Sequence, residues 1–173
     1  MARKVQNVSQ PPAPPPFPRQ IQLRPVQWIG IPVLLLIPFL ALFGVFGESF
    51  ETLQANNKTL SVEVTYPNRF RYQMYDSMEV TVHNLSPQPI STVEVLFAKD
   101  YIDQFDNVDF TPRVGAVEDG YYVVELHDLA AQQTQAVNVD LQADKAWRHA
   151  GEIMISIVGS KSINLNLVTW VFP

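Results

Sequence analysis

An uncharged run of 20 residues, from Trp28 to Gly47, constrains this chain more than any other feature of its sequence. An α-helix rises about 1.5 Å per residue, so a run of that length spans about 30 Å, the thickness of the hydrocarbon core of a bilayer. The run predicts one transmembrane helix over residues 26–47. That helix separates a short tail, residues 1–25, from a much longer C-terminal part.

The distribution of charge predicts how this helix is oriented. Four basic residues and no acidic residue precede the run, whereas all 17 acidic residues and eight basic ones follow it, giving the C-terminal part a formal charge of −9. Lys and Arg next to a membrane span stay on the cytoplasmic side. We therefore expect a single-pass protein of the cell inner membrane, with a cytoplasmic N-terminus and a periplasmic or extracellular C-terminal domain. Trp28 suits the lipid–water interface at the entrance of the helix.

A cleaved signal peptide is the competing interpretation of the run. Signal peptides have an apolar core of about 7–15 residues and small residues just before the cleavage site. Here the apolar run is longer, more than 20 residues precede it, and Val45-Phe46-Gly47 is a poor cleavage site. The sequence therefore favours an uncleaved helix.

The composition of the predicted span favours a neighbouring helix over lipid alone. Pro32 and Pro38 remove backbone donors, and the kink that results is tolerated best where another helix packs nearby. Phe39, Phe43 and Phe46 share one face of the helix, at i, i+4 and i+7. A plain lipid-facing helix is the alternative. The span has no titratable side chain, so it predicts no ion site, proton relay or cofactor ligand.

Proline dominates the tail that precedes the span. Pro14, Pro15, Pro16 and Phe17 lie in the sequence PPAPPPFP, which favours the extended polyproline II conformation and cannot build a core. We predict that these residues contact a partner, as a strap along its cytoplasmic face. The alternatives are a semi-rigid leader and a ligand for an SH3-type domain, for which Arg19 has the wrong spacing.

Beyond Leu60 the sequence alternates apolar and polar residues with a period of two, as strands with one buried face do. The apolar positions of the five clearest segments are Met78, Val80 and Val82; Val93, Val95 and Phe97; Val137, Val139 and Leu141; Ile153, Ile155 and Ile157; and Ile163, Leu165 and Leu167. Further strands are predicted at 61–66, 110–114 and 121–126.

About eight short strands in roughly 110 residues predict an all-β domain, an antiparallel β-sandwich of immunoglobulin-like type. We assign it to residues 61–173. Residues 48–60 are predicted to be a linker that continues the helix for a turn or two. The chain has no Cys, so the disulfide of antibody domains is absent and the prediction concerns the architecture alone.

The last strand has apolar residues on both faces, because Val168, Trp170 and Phe172 follow the alternating residues before them. Such a strand is either buried on both sides or covered by a partner. Burial in the core is one interpretation. The other is a docking surface with Trp170 as its central side chain and Phe172 beside it.

An acidic segment, residues 100–109, carries an Asp at every third position. Ile102, Phe105 and Val108 recur at the same spacing, which suits a short helical or 3₁₀ crossover with its carboxylates in water. An acidic edge that docks a partner is a second interpretation. A calcium loop is a third, although the ligand spacing and Gly of an EF-hand are missing.

No group of residues in the sequence predicts an enzyme. His83, His127 and His149 are scattered and read as surface residues rather than zinc ligands, and a nucleophile motif is absent. We therefore expect no catalytic residue, metal or cofactor. The negative charge of the C-terminal domain disfavours nucleic acid as a partner.

Several stretches resemble the immunoglobulin-like domains of bacterial single-span membrane proteins: MEVTVHN at 78–84, YIDQF at 101–105, Pro112, VEL at 124–126 and Asp128-Leu129. The layout also resembles that of an accessory subunit of a bioenergetic membrane complex, such as a photosynthetic reaction centre with its light-harvesting ring. This resemblance implies a non-catalytic subunit that contacts other integral membrane subunits and the bilayer. The alternative is a free-standing membrane-anchored module that binds a peptide, a glycan or a secreted protein.

Overall fold

A computed structural model describes residues 25–44, 47–157 and 162–172. The chain forms two separate compact units, the first ending at Phe43 and the second beginning at Gly44. Each unit is described by itself below.

The first unit contains helix α1, Pro25–Leu42, with Pro32 and Pro38 inside it. The rings of Phe39 and Phe43 lie 4.8 Å apart between centroids, so these two residues do share a face. The helix stops short of the predicted end at residue 47. Gly44 has a φ of +70°, a left-handed conformation that commonly ends a helix and that glycine adopts without strain.

No helix among the described residues is both long and apolar enough to qualify as a membrane span.

The second unit is built from ten strands and one short helix among its described residues. In chain order they are β1 Ser49–Asn56, β2 Leu60–Arg71, β3 Tyr75–Asn84, β4 Ile90–Ala98, α2 Lys99–Ile102, β5 Phe105–Thr111, β6 Ala116–Glu118, β7 Tyr121–Leu129, β8 Thr134–Ala143, β9 Trp147–Ile157 and β10 Ile163–Phe172.

Strand β2 belongs to two sheets and joins them. Its first half, 60–65, pairs antiparallel with β3, and its last residues, 69–71, pair in parallel with β10. One sheet therefore has the order β1-β2-β3-β8-β5 and the other the order β2-β10-β9-β4-β7-β6. A strand that passes from one sheet to the other forms a corner of a β-sandwich. Together with the antiparallel order of the remaining strands, this makes the domain an immunoglobulin-like sandwich, as the sequence predicts.

The core lies between the inner faces of the two sheets. The alternating apolar residues predicted from the sequence are buried, except Ile157, which is half-buried. Aromatic rings from both sheets meet there, with Phe97 and Phe110 edge to face at 5.4 Å between centroids. The side chain of a fully buried Phe removes enough apolar surface from water to contribute about 2 kcal/mol.

The expected helical continuation through residues 48–60 is wrong. Residues 49–56 form β1, which pairs antiparallel with β2 along its length. Thr52 and Thr65 share a hydrogen bond of 3.0 Å between their hydroxyls, and Gln54 donates to Glu63 at 2.9 Å. An edge strand that buries little of its side-chain surface shows little apolar alternation, which is why the sequence did not indicate β1.

Segment 100–109 also differs from the expected crossover. The helix is a single turn, α2, and the chain then enters β5. Ile102 and Phe105 are buried, whereas the four Asp side chains are exposed. The interpretation of these carboxylates as a solvated face is therefore correct, although the backbone that presents them is mostly a strand.

A buried hydroxyl chain links α2, β10 and β2. The Tyr101 hydroxyl lies 2.8 Å from Oγ1 of Thr169, which donates to the carbonyl of Pro67 at 2.9 Å. Burial raises the pKa of Tyr101 above its ordinary value, and the hydrogen bond to Thr169 offsets part of that rise.

Because the pKa of Tyr101 is raised by folding, its contribution to stability is complete below the unfolded value of about 10 and is lost as pH rises above it. We expect the free energy of unfolding of the full chain to fall more steeply between about pH 10 and 11 than in Tyr101→Phe. Urea titrations at a series of pH values measure both slopes. Equal slopes in the two proteins would contradict the assignment.

Candidate docking surface

The structure describes some of the partner-contact residues predicted from the sequence, and the others lie in parts of the chain that it does not describe. Pro14, Pro15, Pro16, Phe17 and Phe46 lie outside the described residues. In the first unit, Trp28, Phe39 and Phe43 all expose most of their side chains.

In the second unit, Trp170 and Phe172 lie on strand β10. The inner face of β10 is buried in the core from Ile163 to Val171. The outer face carries Val168, Trp170 and Phe172. Trp170 is 45% exposed, so burial in the core, one of the two interpretations of this strand, is wrong for Trp170. Val168 and Phe172 are half-buried. This apolar outer face is the part of the sandwich that most resembles a binding surface.

Arginine residues flank both aromatic side chains. Trp170 pairs with Arg69 of β2 on one side and with Arg148 of β9 on the other. Phe172 pairs with Arg71 of β2. Residues directly paired across a sheet project from the same face. We call this surface the Trp170 face; it consists of Arg69, Arg71, Arg148, Val168, Trp170 and Phe172.

A groove of about 560 Å³ runs beside Trp170. Glu51 of β1 and Asn68 of β2 form its polar rim. Glu51 is held in place, because it accepts hydrogen bonds from the Tyr66 hydroxyl at 3.1 Å and from the Asn68 amide at 3.4 Å. Asn68 is fixed in turn by the Ser49 hydroxyl. The rim is therefore preorganised by the edge strand that the sequence did not indicate.

The Trp170 face is basic within an acidic domain. Three of the eight basic residues that follow residue 47 lie on it, and Glu51 stands at the rim of its groove. Arg71 and Arg148 are exposed, and neither forms an ion pair with another described residue. Trp and Arg are the residues most enriched at the energetic centres of protein interfaces.

Within the acidic segment, the side chain of Asp103 is tied back to its own domain. Lys99 and Asp103 form an ion pair of 2.6 Å, and the Tyr122 hydroxyl donates to Asp103 at 2.7 Å. Hydrogen bonds from Lys99 and Tyr122 lower the pKa of Asp103 below its ordinary value. The pair is largely exposed, and exposed pairs contribute little to stability.

A second groove lies over strands β3, β5 and β8 of the first sheet. It is lined by three acidic residues, Asp76, Asp109 and Asp140. Burial raises the pKa of Asp76. Across residues 25–44, 47–157 and 162–172, no group of three or more His, Asp or Glu side chains has the geometry to hold a metal ion.

The prediction of surface histidines is wrong for His149. Its side chain is buried. Nδ1 is hydrogen-bonded to the Gln104 amide oxygen, and Nε2 donates a hydrogen bond to the Lys145 carbonyl at 2.7 Å. A sequence signal was present, because His149 is in phase with Ile153 and Ile155 on the inner face of β9. His149 thus ties the β8–β9 connection to the end of α2.

The sequence interpretation also missed the arginine residues of the Trp170 face. Arg69 and Arg71 are two residues apart, which does place them on one side of a strand. Their position beside residues 170 and 172 depends on a parallel pairing between the two ends of the domain, which leaves no local signal. Neither the basic character of this surface nor its groove could be predicted from spacing.

No protein-family model matches the sequence, and no curated protein matches it. Among solved structures, the chain is similar to the CARDB domain of a Pyrococcus furiosus protein in complex with di-metal ions, with 11% identity and a TM-score of 0.42 over 68% of this chain and 97% of that one. It is also similar to a cohesin module from a Clostridium perfringens family 33 glycoside hydrolase, with 10% identity and a TM-score of 0.39 over 72% and 97% of the two chains. At these scores the fold assignment rests on the strand pairing described above.

Proposed function

We propose that this chain is a non-catalytic, membrane-anchored accessory subunit whose sandwich docks on a larger integral membrane complex. The Trp170 face carries this proposal. A Trp that is 45% exposed, flanked by arginines and by half-buried Val168 and Phe172, has the composition of an interface centre rather than of a solvated sheet face.

Support for the membrane anchor comes from the sequence. The uncharged run 28–47 has the length of a span, and the basic residues before it and the acidic residues after it give it a direction. In this proposal Trp28, Phe39, Phe43 and Phe46 contact lipid or neighbouring helices, and the proline-rich tail lies along the cytoplasmic side of the complex. A photosynthetic or respiratory complex is the kind of assembly that the layout suggests.

The proposal is tested by purifying the tagged full chain from its native membrane in a mild detergent. We expect other integral membrane subunits at a fixed stoichiometry, identified by mass spectrometry. Isolation as a lone monomer, at detergent and salt conditions that keep known membrane complexes intact, would refute the proposal.

Trp170→Ala should weaken retention of these subunits by at least about thirtyfold, because a central interface Trp contributes about 2 kcal/mol or more. The matched control is Trp147→Ala, which removes an equally large side chain at the end of β9, outside the groove. We expect Trp147→Ala to have the smaller effect. Quantitative mass spectrometry of the retained subunits measures both changes.

A free-standing binding module is the second candidate, and the groove beside Trp170 favours it. Its volume of about 560 Å³ could accept part of a peptide or a glycan. In this case the full chain would purify alone and bind such a ligand, and Trp170→Ala would weaken that binding.

A further inference from the structure

We infer that the partner segment docking on the Trp170 face is a protein segment with carboxylate side chains on both sides of an apolar one. This inference rests on the proposed function and names the chemistry of the partner. It starts from the order of side chains across three neighbouring strands, which is Arg69 on β2, Trp170 on β10 and Arg148 on β9.

Strand spacing fixes the dimensions of this arrangement. Neighbouring strands lie about 4.8 Å apart, so the backbones of Arg69 and Arg148 are about 10 Å apart with the indole between them. Arg71 lies two residues further along β2, about 7 Å from Arg69, beside Phe172. A complementary partner therefore presents an apolar side chain to Trp170 and a carboxylate on either side, within reach of long arginine side chains.

Arginine selects carboxylates for a geometric reason. Its planar guanidinium can donate two parallel hydrogen bonds to one carboxylate, which is stronger and more directional than a lysine contact. All three cations of the Trp170 face are Arg. The held carboxylate of Glu51 stands at the groove rim near Arg69. It repels an acidic partner there, so the carboxylates should be directed to Arg71 and Arg148.

An anionic membrane surface would also attract arginine and tryptophan, but two observations favour protein. The domain has a formal charge of −9, so a uniformly negative plane repels most of its surface, whereas a partner protein can place a few carboxylates opposite the arginines alone. The surface beside Trp170 also carries a shallow groove, which can accept a protruding side chain.

The test uses the full chain in its native membrane complex and a zero-length carbodiimide reagent, which joins an amine to a carboxylate with loss of water. Arg148→Lys and Arg71→Lys each place a primary amine on the Trp170 face. Arg113→Lys is the matched control, since Arg113 is exposed and lies outside this face. We expect a new amide between residue 148 or 71 and an Asp or Glu of a co-purified subunit, and no such product from position 113.

A charge-reversal series provides the second measurement. Arg71→Glu combined with Arg148→Glu should lower retention of the partner subunit at about 0.15 M salt by at least about tenfold, whereas Arg113→Glu should change it less than about twofold. An intact complex with no cross-link from 71 or 148 and with unchanged retention in the double variant would overturn this inference and leave the proposed function standing.

Two further outcomes also overturn the inference. If the full chain shows no partner subunit at all, the proposed function fails with it. If no partner cross-link forms and the detergent-purified chain instead binds vesicles of phosphatidylcholine with phosphatidylglycerol, but not of phosphatidylcholine alone, and charge reversal abolishes that binding, then the Trp170 face binds lipid.

Discussion

Replacing Gly151 with alanine is expected to destabilise the sandwich by about 3 kcal/mol or more, because the new methyl group has no space. A Cβ at this position would lie 2.2 Å from Cβ and 2.6 Å from Cγ of Tyr101. The Tyr101 ring is buried, packs edge to face against Phe105 at 5.2 Å between centroids, and bonds to Thr169 through its hydroxyl. It cannot swing away without breaking these contacts.

Thermal and urea unfolding of the full chain measure the effect of Gly151→Ala, with an expected fall in Tm of about 10 °C for a domain of this size. Gly115→Ala is the matched control, since its new Cβ would meet only the Val123 carbonyl oxygen at 3.8 Å and the Glu125 carboxylate at 4.0 Å. If both variants unfold at the wild-type temperature, the packing of Tyr101 on β9 is not as described. A similar fall in Tm in both variants would point to the glycine-to-alanine change itself.

The second large effect concerns Asn84, whose side chain is completely buried at the end of β3. Its amide nitrogen donates to the carbonyls of Gln88, Leu129 and Ala130 at 2.9, 3.2 and 3.0 Å, and its amide oxygen accepts from the backbone of Ser86 at 2.9 Å. One side chain therefore satisfies polar groups from two turns. Asn84→Ala leaves these groups without their partner, which should cost about 3 kcal/mol.

The control for Asn84→Ala is Asn138→Ala, on the exposed face of β8, which should change stability by less than about 0.5 kcal/mol. Urea unfolding followed by tryptophan fluorescence compares the two variants. Hydrogen exchange adds a local measurement: amides of the 85–90 and 130–133 turns should lose protection in Asn84→Ala before the rest of the sandwich does. Similar stabilities of the two variants would contradict the role assigned to Asn84.

Along strand β10, residues that pack in the core alternate with residues of the proposed docking surface. Thr169 and Val171 face the core, while Trp170 and Phe172 face outward between them. Substitutions at Trp170 therefore change the surface without opening the core, and this is why loss of partner retention in Trp170→Ala can be read apart from unfolding. Gly151→Ala and Asn84→Ala act in the opposite way, since Asn84 is buried and a Cβ at Gly151 would meet the buried Tyr101.

Much of the sandwich could be predicted because side-chain alternation is a local property. Val80, Val95 and Val139 each sit in a run with period two, and each is buried. The same logic failed where a strand has little buried surface, as in β1, and where a polar residue occupies an inner position, as His149 does on β9. In these places packing against distant strands overrides the local pattern.

By itself the sequence determined that this is an all-β domain, which apolar residues of the clearest strands face the core, and that a long uncharged run precedes the domain. Tertiary structure alone decided that β2 leaves one sheet and joins the other, and that its Arg69 and Arg71 come to lie beside Trp170 and Phe172. The reason is that periodicity along a strand depends on neighbouring residues, whereas strand order and register depend on the burial of the whole core. The basic surface around Trp170 exists only once that register is set.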